Sequence, residues 1–120
     1  MARLLIVDDE REAAEALKMF FDVQGLPCAI ATTGDQAVDL LATYQPDLIL
    51  LDVQLADSRL TGFDVLREAK ARRPTAKVLM VTGYQDEASH AHAQALGADG
   101  YLEKPLTPAK ILEILKQAAG

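Results

Sequence analysis

Short apolar runs alternate along the chain with segments in which apolar residues recur every three or four positions. Apolar runs without polar alternation are typical of strands buried on both faces of a parallel sheet. The periodic segments between them are typical of amphipathic helices. The runs that predict strands are Leu4–Val7, Cys28–Ala31, Leu48–Leu51, Val78–Val81 and Tyr101–Leu102.

Helix ends are marked by capping residues. Thr33, with Gln36 three residues later, matches a capping box and predicts the start of the second helix. Thr107 followed by Pro108 predicts the start of the last helix in the same way. The inward-facing stripe of that helix is expected to be Ile111, Leu112, Ile114 and Leu115.

The order of these segments predicts the fold class. Five strands alternate with five helices through short loops, and there is no repeat, linker or low-complexity tract. Such a chain builds a doubly wound α/β domain, with a parallel five-stranded sheet covered by helices on both faces. At 120 residues the chain has room for one domain, which we expect to span residues 1–120.

Polar residues stand at the carboxyl ends of four predicted strands, the edge where ligands bind in open α/β sheets. Taken alone, Asp52 fits a helix cap or a turn as well as it fits a catalytic role, and Asp9 with Glu12 fits a capping pattern. The placement of all these residues at one edge of the sheet favours a functional role over a role in caps or turns. The residues at this edge are Asp8, Asp9, Asp52, Thr82 and Lys104.

Three carboxylates at one edge repel one another unless a cation compensates them. A cluster of oxygen ligands without histidine or cysteine suits Mg²⁺, which recruits phosphate oxygens to complete its coordination. Lys104 would supply an ammonium group and Thr82 a hydroxyl for further phosphate oxygens. This set of groups suits phosphoryl transfer, with Asp52 as the nucleophile that forms an aspartyl phosphate.

Composition narrows the possible partners. A net charge of -6 and a pI near 4.8 argue against direct nucleic-acid binding. The densest basic group, within residues 67–73, falls at helical spacing near a helix end, as a solvated face does. The single cysteine, Cys28, is expected to be a small core residue in a reducing compartment. No run has the length of a signal-peptide core or a membrane span, so the sequence predicts a cytoplasmic protein without a membrane partner.

The ordered set of polar residues resembles the receiver domains of response regulators in two-component signalling, chemotaxis receivers among them. Asp8–Asp9 resembles the acidic pair of that family, Asp52 its phosphoacceptor and Thr82 its switch hydroxyl. Lys104–Pro105 resembles its lysine with a following cis proline, and Tyr101 stands at its aromatic switch position. The resemblance covers essentially the whole chain and implies a (βα)5 flavodoxin-like fold with strand order 2-1-3-4-5.

The resemblance also implies a chemical role for the acidic residues. Asp52 would accept a phosphoryl group from a sensor histidine kinase or a phosphotransfer protein in a phosphorelay. Mg²⁺ would be held by Asp9, Asp52 and the backbone carbonyl of Gln54, with Asp8 contributing directly or through a water molecule. The domain would catalyse only its own phosphorylation and dephosphorylation, so we do not expect an enzyme in the metabolic sense.

By the same resemblance, Lys104 would pair with the phosphoryl group, and phosphorylation would draw Thr82 inward and let Tyr101 change rotamer. The surface of the fourth helix, fifth strand and fifth helix would then repack. This surface would bind a downstream protein effector or a fused output domain, and it is a candidate surface for a homodimer.

The loop after Asp52 departs from the usual family pattern. Ala56 stands where proline is common, and Gly62 comes two positions later than in the commonest spacing. We therefore expect a different conformation from Gln54 to Gly62, with the Gln54 carbonyl kept as a metal ligand. Tyr84, a bulky residue after Thr82, is expected to shield the phosphoryl group from water and to slow its loss.

Two other functions compete with the receiver interpretation. A haloacid-dehalogenase-like phosphatase would use Asp8 as its nucleophile, but that family has a second aspartate where Glu10 stands. A degenerate receiver would act only as a binding module, and the full set of polar residues speaks against it. A metal site at His90 and His92 is not favoured, because residues two apart on a helix point to nearly opposite sides.

Overall fold

The computed structural model describes residues 2–56, 58–83 and 87–119, without the side chain of Ala119. Strands and helices alternate along the chain, as the sequence predicts. The strands are β1 (Leu4–Val7), β2 (Cys28–Ala31), β3 (Leu48–Asp52), β4 (Lys77–Thr82) and β5 (Gly100–Glu103). The helices are α1 (Arg11–Val23), α2 (Gly34–Thr43), α3 (Gly62–Arg72), α4 (Glu87–Ala95) and α5 (Pro108–Ala119).

The five strands form one sheet in the order β2-β1-β3-β4-β5, and every neighbouring pair is parallel. The predicted doubly wound fold and the order 2-1-3-4-5 are therefore confirmed. Because every strand runs in the same direction, all five carboxyl ends lie at one edge of the sheet. This edge carries the polar residues that the sequence analysis selected.

The strands are buried because helices cover both faces of the sheet. Every residue of β3 is buried, and alternate residues enter two separate cores. Ile49 and Leu51 pack in the core that includes residues of α2, α3 and α4. Leu48 and Leu50 pack in the core that includes residues of α1 and α5. The continuous apolar runs reflect this burial on both faces.

The helix starts were predicted with mixed success. Thr33 caps α2, since its hydroxyl accepts a hydrogen bond from the Gln36 backbone N–H at 3.1 Å. The Gln36 side chain instead accepts from the Thr32 N–H at 2.9 Å, so no capping box forms there. The capping alternative for Asp9 is wrong, because α1 begins at Arg11 with Glu10 as its N-cap residue.

One expected core residue of α5 is exposed. Ile114 is fully buried, and Ile111 and Leu115 are half-buried against the same core, but 59% of Leu112 is exposed. The buried positions follow helical spacing from residue 111, and residue 112 is rotated by about 100° from it. The prediction that Leu112 faces inward is therefore wrong.

Cys28 lies half-buried at the start of β2 and packs against the core that includes residues of α1 and α5. This burial raises the pKa of its thiol to about 12, because the thiolate would lose contact with water.

No helix in the described part of the chain is both long enough and apolar enough to cross a membrane.

Candidate functional site

The strand register aligns four polar residues at the carboxyl edge of the sheet. Asp8 follows the last residue of β1 and lies level with Asp52, the last residue of β3. Thr82, the last residue of β4, lies one position beyond Asp52. Lys104 follows the last residue of β5, which pairs with Thr82. Residues from distant parts of the sequence therefore meet on adjacent strands.

The three aspartates form a compact cluster. One carboxylate oxygen from each of Asp8, Asp9 and Asp52 lies within 4.8 Å of the others. Asp8 and Asp52 are buried, whereas Asp9 is half-buried. Each carboxylate is oriented by a backbone N–H that donates to it. The donors are Glu10 to Asp8 at 2.9 Å, Gln54 to Asp52 at 3.0 Å and Ala56 to Asp9 at 3.0 Å.

Lys104 joins two of these carboxylates. Its Nζ donates to Asp52 Oδ2 at 3.0 Å and to Asp8 Oδ2 at 3.3 Å. The Lys104 side chain is 30% exposed, so its ammonium reaches from the surface into the buried pair. By formal charge, one ammonium faces three carboxylates, and the excess of two negative charges is the charge that a divalent cation neutralises.

Burial and charge pairing act in opposite directions at this site. Burial raises the pKa of the Asp52 carboxyl, and the hydrogen bonds from Lys104 and from the Gln54 N–H only partly oppose it. For Lys104, burial acts to lower the pKa, but the hydrogen bond and charge of Asp52, with those of Asp8, outweigh it. The pKa of Lys104 is therefore raised, and its amine is protonated at neutral pH.

A cavity of about 670 Å³ opens over the cluster. Its walls provide carboxylate oxygens and the ammonium of Lys104, and none of the described lining residues is a histidine or a cysteine. An all-oxygen donor set with an excess of negative charge and an open face fits Mg²⁺, which retains several water ligands. The lining residues are Asp9, Glu10, Asp52, Val53, Gln54, Leu55, Ala56, Thr61, Phe63, Gly83, Ser89 and Lys104.

The other predicted site residues are Thr82, Pro105, Tyr101 and Tyr84. Thr82 is buried, and its carbonyl accepts a hydrogen bond from the Lys104 N–H at 2.7 Å. The peptide bond between Lys104 and Pro105 is cis. Tyr101 lies outside the 670 Å³ cavity; its ring stacks on His90, with centroids 4.5 Å apart. Tyr84, which we expect to shield the phosphoryl group, lies outside the described residues.

The loop after β3 passes close to Asp52. A side chain at Gly62 would bring its Cβ into the Asp52 carbonyl oxygen and within 2.8 Å of that of Val53. Glycine at this position therefore allows the start of α3 to pack directly against the end of β3. Leu55 is buried in the core that includes residues of α2, α3 and α4, which holds the first half of the loop against the sheet.

Several residues at the site are not predicted by the sequence analysis. Thr61, Phe63 and Ser89 line the cavity, although nothing in their local sequence marks them. Ser89 lies on α4, whose alanine-rich sequence has no clear apolar stripe to indicate its orientation. The Ala56 N–H that donates to Asp9 is a backbone group, so residue type carries no signal for it.

Comparison with known proteins gives a consistent family match. Residues 4–116 match the family model of the response regulator receiver domain. The response regulator SaeR of Staphylococcus aureus (strain USA300) is 30% identical over 112 residues, which make up 93% of this chain and 48% of that protein. The chain thus spans about half the length of this relative.

Solved structures agree in fold. A CheY-like response regulator receiver domain protein from Methanospirillum hungatei JF-1 has a TM-score of 0.90 and 32% identity, with 98% of this chain and 92% of that chain covered. A response regulator from Burkholderia pseudomallei, whose structure has a phosphorylated aspartic acid, a calcium ion and citrate, has a TM-score of 0.88 and 28% identity. That match covers 96% of this chain and 66% of the other.

Proposed function

This chain belongs to the response regulator receiver domain family of two-component signalling, and from that premise we propose that it accepts a phosphoryl group on Asp52. The donor would be a sensor histidine kinase or a phosphotransfer protein. The observation that carries the proposal is the contact of Lys104 with Asp52 and Asp8, next to Asp9, at the open edge of the sheet.

The proposed metal is Mg²⁺, held by Asp8, Asp9, Asp52 and the backbone carbonyl of Gln54. When bound, it would neutralise negative charge on the phosphoryl oxygens. The uncompensated charge of the carboxylate cluster supports this proposal. The calcium ion and phosphorylated aspartic acid in the similar Burkholderia pseudomallei structure also support it.

The proposed transfer step uses groups that the fold already holds in place. A carboxylate oxygen of Asp52 attacks phosphorus, the bond between phosphorus and the donor nitrogen breaks, and its electron pair stays on that nitrogen. The Gln54 N–H holds the other Asp52 oxygen and so fixes the orientation of the nucleophile. Lys104 would leave Asp52 and pair with the phosphoryl oxygens, which carry the developing charge. Water would later hydrolyse the aspartyl phosphate.

The proposed output follows from a change at Thr82 and Tyr101. Thr82 would donate to a phosphoryl oxygen, and Tyr101 would change rotamer as the site contracts. The repacked surface of α4, β5 and α5 would bind a downstream effector or a fused output domain, or form a homodimer. The greater length of the Staphylococcus aureus relative supports a fused output domain.

The proposal also covers the extent of the domain, its location in the cell and its partners. We propose that residues 1–120 form a single receiver domain in the cytoplasm, with no direct contact to nucleic acid or membrane. Its chemistry would be limited to its own phosphorylation and dephosphorylation. The family match does not favour the phosphatase interpretation with Asp8 as nucleophile, or that of a degenerate receiver.

The test is phosphorylation by a small-molecule donor. We expect one phosphoryl adduct by intact mass after incubation with Mg²⁺ and acetyl phosphate, and no adduct when EDTA replaces Mg²⁺. The adduct should be absent from Asp52→Asn and still form on Asp8→Asn. An adduct of unchanged yield on Asp52→Asn would contradict the proposal, and loss only in Asp8→Asn would favour a phosphatase-like nucleophile.

A further inference from the structure

The side chain of Ser58 attaches the loop between β3 and α3 to α2. Ser58 Oγ accepts a hydrogen bond from the Gly34 N–H at 2.8 Å and donates one to the Leu60 carbonyl at 2.7 Å. Gly34 is the first residue of α2, where backbone N–H groups have no partner within the helix. Ser58 therefore caps α2 from outside that helix and at the same time holds its own loop.

The packing at this contact is close. A Cβ on Gly34 would lie 2.6 Å from Leu60 Cβ and 2.7 Å from the Leu60 carbonyl oxygen. Arg59 adds an ion pair with Asp35 at 2.6 Å, although both side chains are largely exposed. Because exposed ion pairs stabilise little, the half-buried Ser58 is the stronger attachment of the loop to α2.

The same loop also contacts the acidic cluster. The Ala56 N–H donates to Asp9 Oδ2 at 3.0 Å. Asp9 is the most exposed of the three clustered carboxylates, so its orientation depends strongly on this hydrogen bond. A single residue separates Ala56 from Ser58, so their Cα atoms are at most about 7 Å apart, and the two hydrogen bonds constrain the same short stretch of the loop.

From these contacts we infer that Ser58 is a positioning residue for the metal site, acting through the Ala56 N–H on Asp9. The inference rests on the proposed function, because it assumes that Asp9 is a ligand of Mg²⁺. It adds a connection from the metal site to the N-terminus of α2. Since coupling between two sites is reciprocal, Mg²⁺ bound at Asp9 would also strengthen the hydrogen bond between Gly34 and Ser58.

The first test is the Mg²⁺ dissociation constant, measured by calorimetry on four proteins. Ser58→Ala should bind Mg²⁺ about fivefold more weakly than the parent, which corresponds to the contribution of one typical hydrogen bond. Ser58→Thr keeps the hydroxyl and should restore the affinity. Thr33→Ala removes the other cap of α2, the hydrogen bond from the Gln36 N–H, but keeps the Ser58 hydroxyl, and it should lower the melting temperature without changing Mg²⁺ affinity.

The second test is hydrogen exchange of the Gly34 amide, which reports on the contact itself. Addition of Mg²⁺ should slow this exchange in the parent by about the same fivefold factor, and it should have no such effect in Ser58→Ala. This readout separates a positioning role from a general loss of stability.

The outcomes distinguish the inference from the function on which it rests. If Ser58→Ala binds Mg²⁺ as tightly as the parent, or if Thr33→Ala weakens binding equally, the inference is wrong and the proposed function stands. If the parent itself binds no Mg²⁺, both are wrong.

Discussion

Lys104 shows how a single side chain sets the electrostatics of the site. Its ammonium contacts two buried carboxylates, and their charges raise its pKa despite burial. The same charge has opposite effects on two events. It attracts the phosphoryl oxygens during transfer, but it repels a divalent cation that binds to the same carboxylates.

Replacing Lys104 should therefore separate transfer from metal binding. In Lys104→Met we expect phosphorylation by acetyl phosphate to slow on the order of 100-fold, as when one charge-stabilising group is removed. Mg²⁺ affinity should stay equal or increase. The rate is measured by intact mass and the affinity by calorimetry, with the exposed Lys116→Met as a matched control. If Lys104→Met lowered the phosphorylation rate and the Mg²⁺ affinity together, the proposed separation of transfer from metal binding would be wrong.

At the scale of single elements, the caps are easier to predict than the orientation of a helix. Thr33 caps α2 as predicted, because a hydroxyl within reach of a free N–H is a local property of the sequence, and the structure shows the same cap at Thr61 of α3. The orientation of α4 is not local, since Ala93 is its one core residue among those described. This helix is instead attached by ring stacking, of His90 on Tyr101 and of His92 on Phe63.

The capping box of α3 predicts a pH-dependent stability. Hydrogen bonds from Thr61, first of all from its backbone N–H, lower the pKa of Asp64 below its ordinary value. A lowered folded-state pKa stabilises the fold above the unfolded-state pKa, and this contribution disappears as the pH falls through the folded-state pKa. Asp64→Ala should therefore reduce the free energy of unfolding at pH 7 by about 0.5–1 kcal/mol, the lower part of the range for caps because Asp64 is partly exposed.

Urea unfolding at pH 7 and at a series of lower pH values provides the measurement for Asp64→Ala. As the pH falls through the lowered folded-state pKa, the parent carboxyl becomes protonated, and the difference in stability from the variant should shrink. A difference of the same size at every pH would show that the charge of Asp64 is not responsible.

At the scale of the whole molecule, the sheet explains why so much of the site could be predicted. Parallel strands bring all carboxyl ends to one edge, so strand-end residues meet wherever they lie in the sequence. The strand order itself required the family resemblance, because periodicity does not state which strands are neighbours. The contact between Ala56 and Asp9 was not predictable, since it depends on the path of a loop.

Metal binding should be visible in the stability of the whole domain. A ligand that binds the folded state at 100 times its Kd adds about 2.7 kcal/mol, which corresponds to a rise in Tm of about 10 °C for a chain of this size. We expect this rise with Mg²⁺ for the parent and its loss in Asp9→Asn. Without Mg²⁺, Asp9→Asn should melt no lower than the parent, because one repelling charge has been removed. If Asp9→Asn had a lower Tm than the parent in EDTA, repulsion between the Asp9 charge and its neighbours would not destabilise the metal-free domain.

The contact between Lys104 and Asp8 joins residues that are 96 positions apart, and Asp52 lies 52 positions before the same lysine. During synthesis on the ribosome, all three aspartates emerge well before their countercharge does. The nascent chain therefore carries a cluster of like charges that opposes closure of β1 against β3 until β5 has been translated. Completion of the acidic edge is therefore a late event in the folding of this domain, and the residue that follows β5 supplies the charge that permits it.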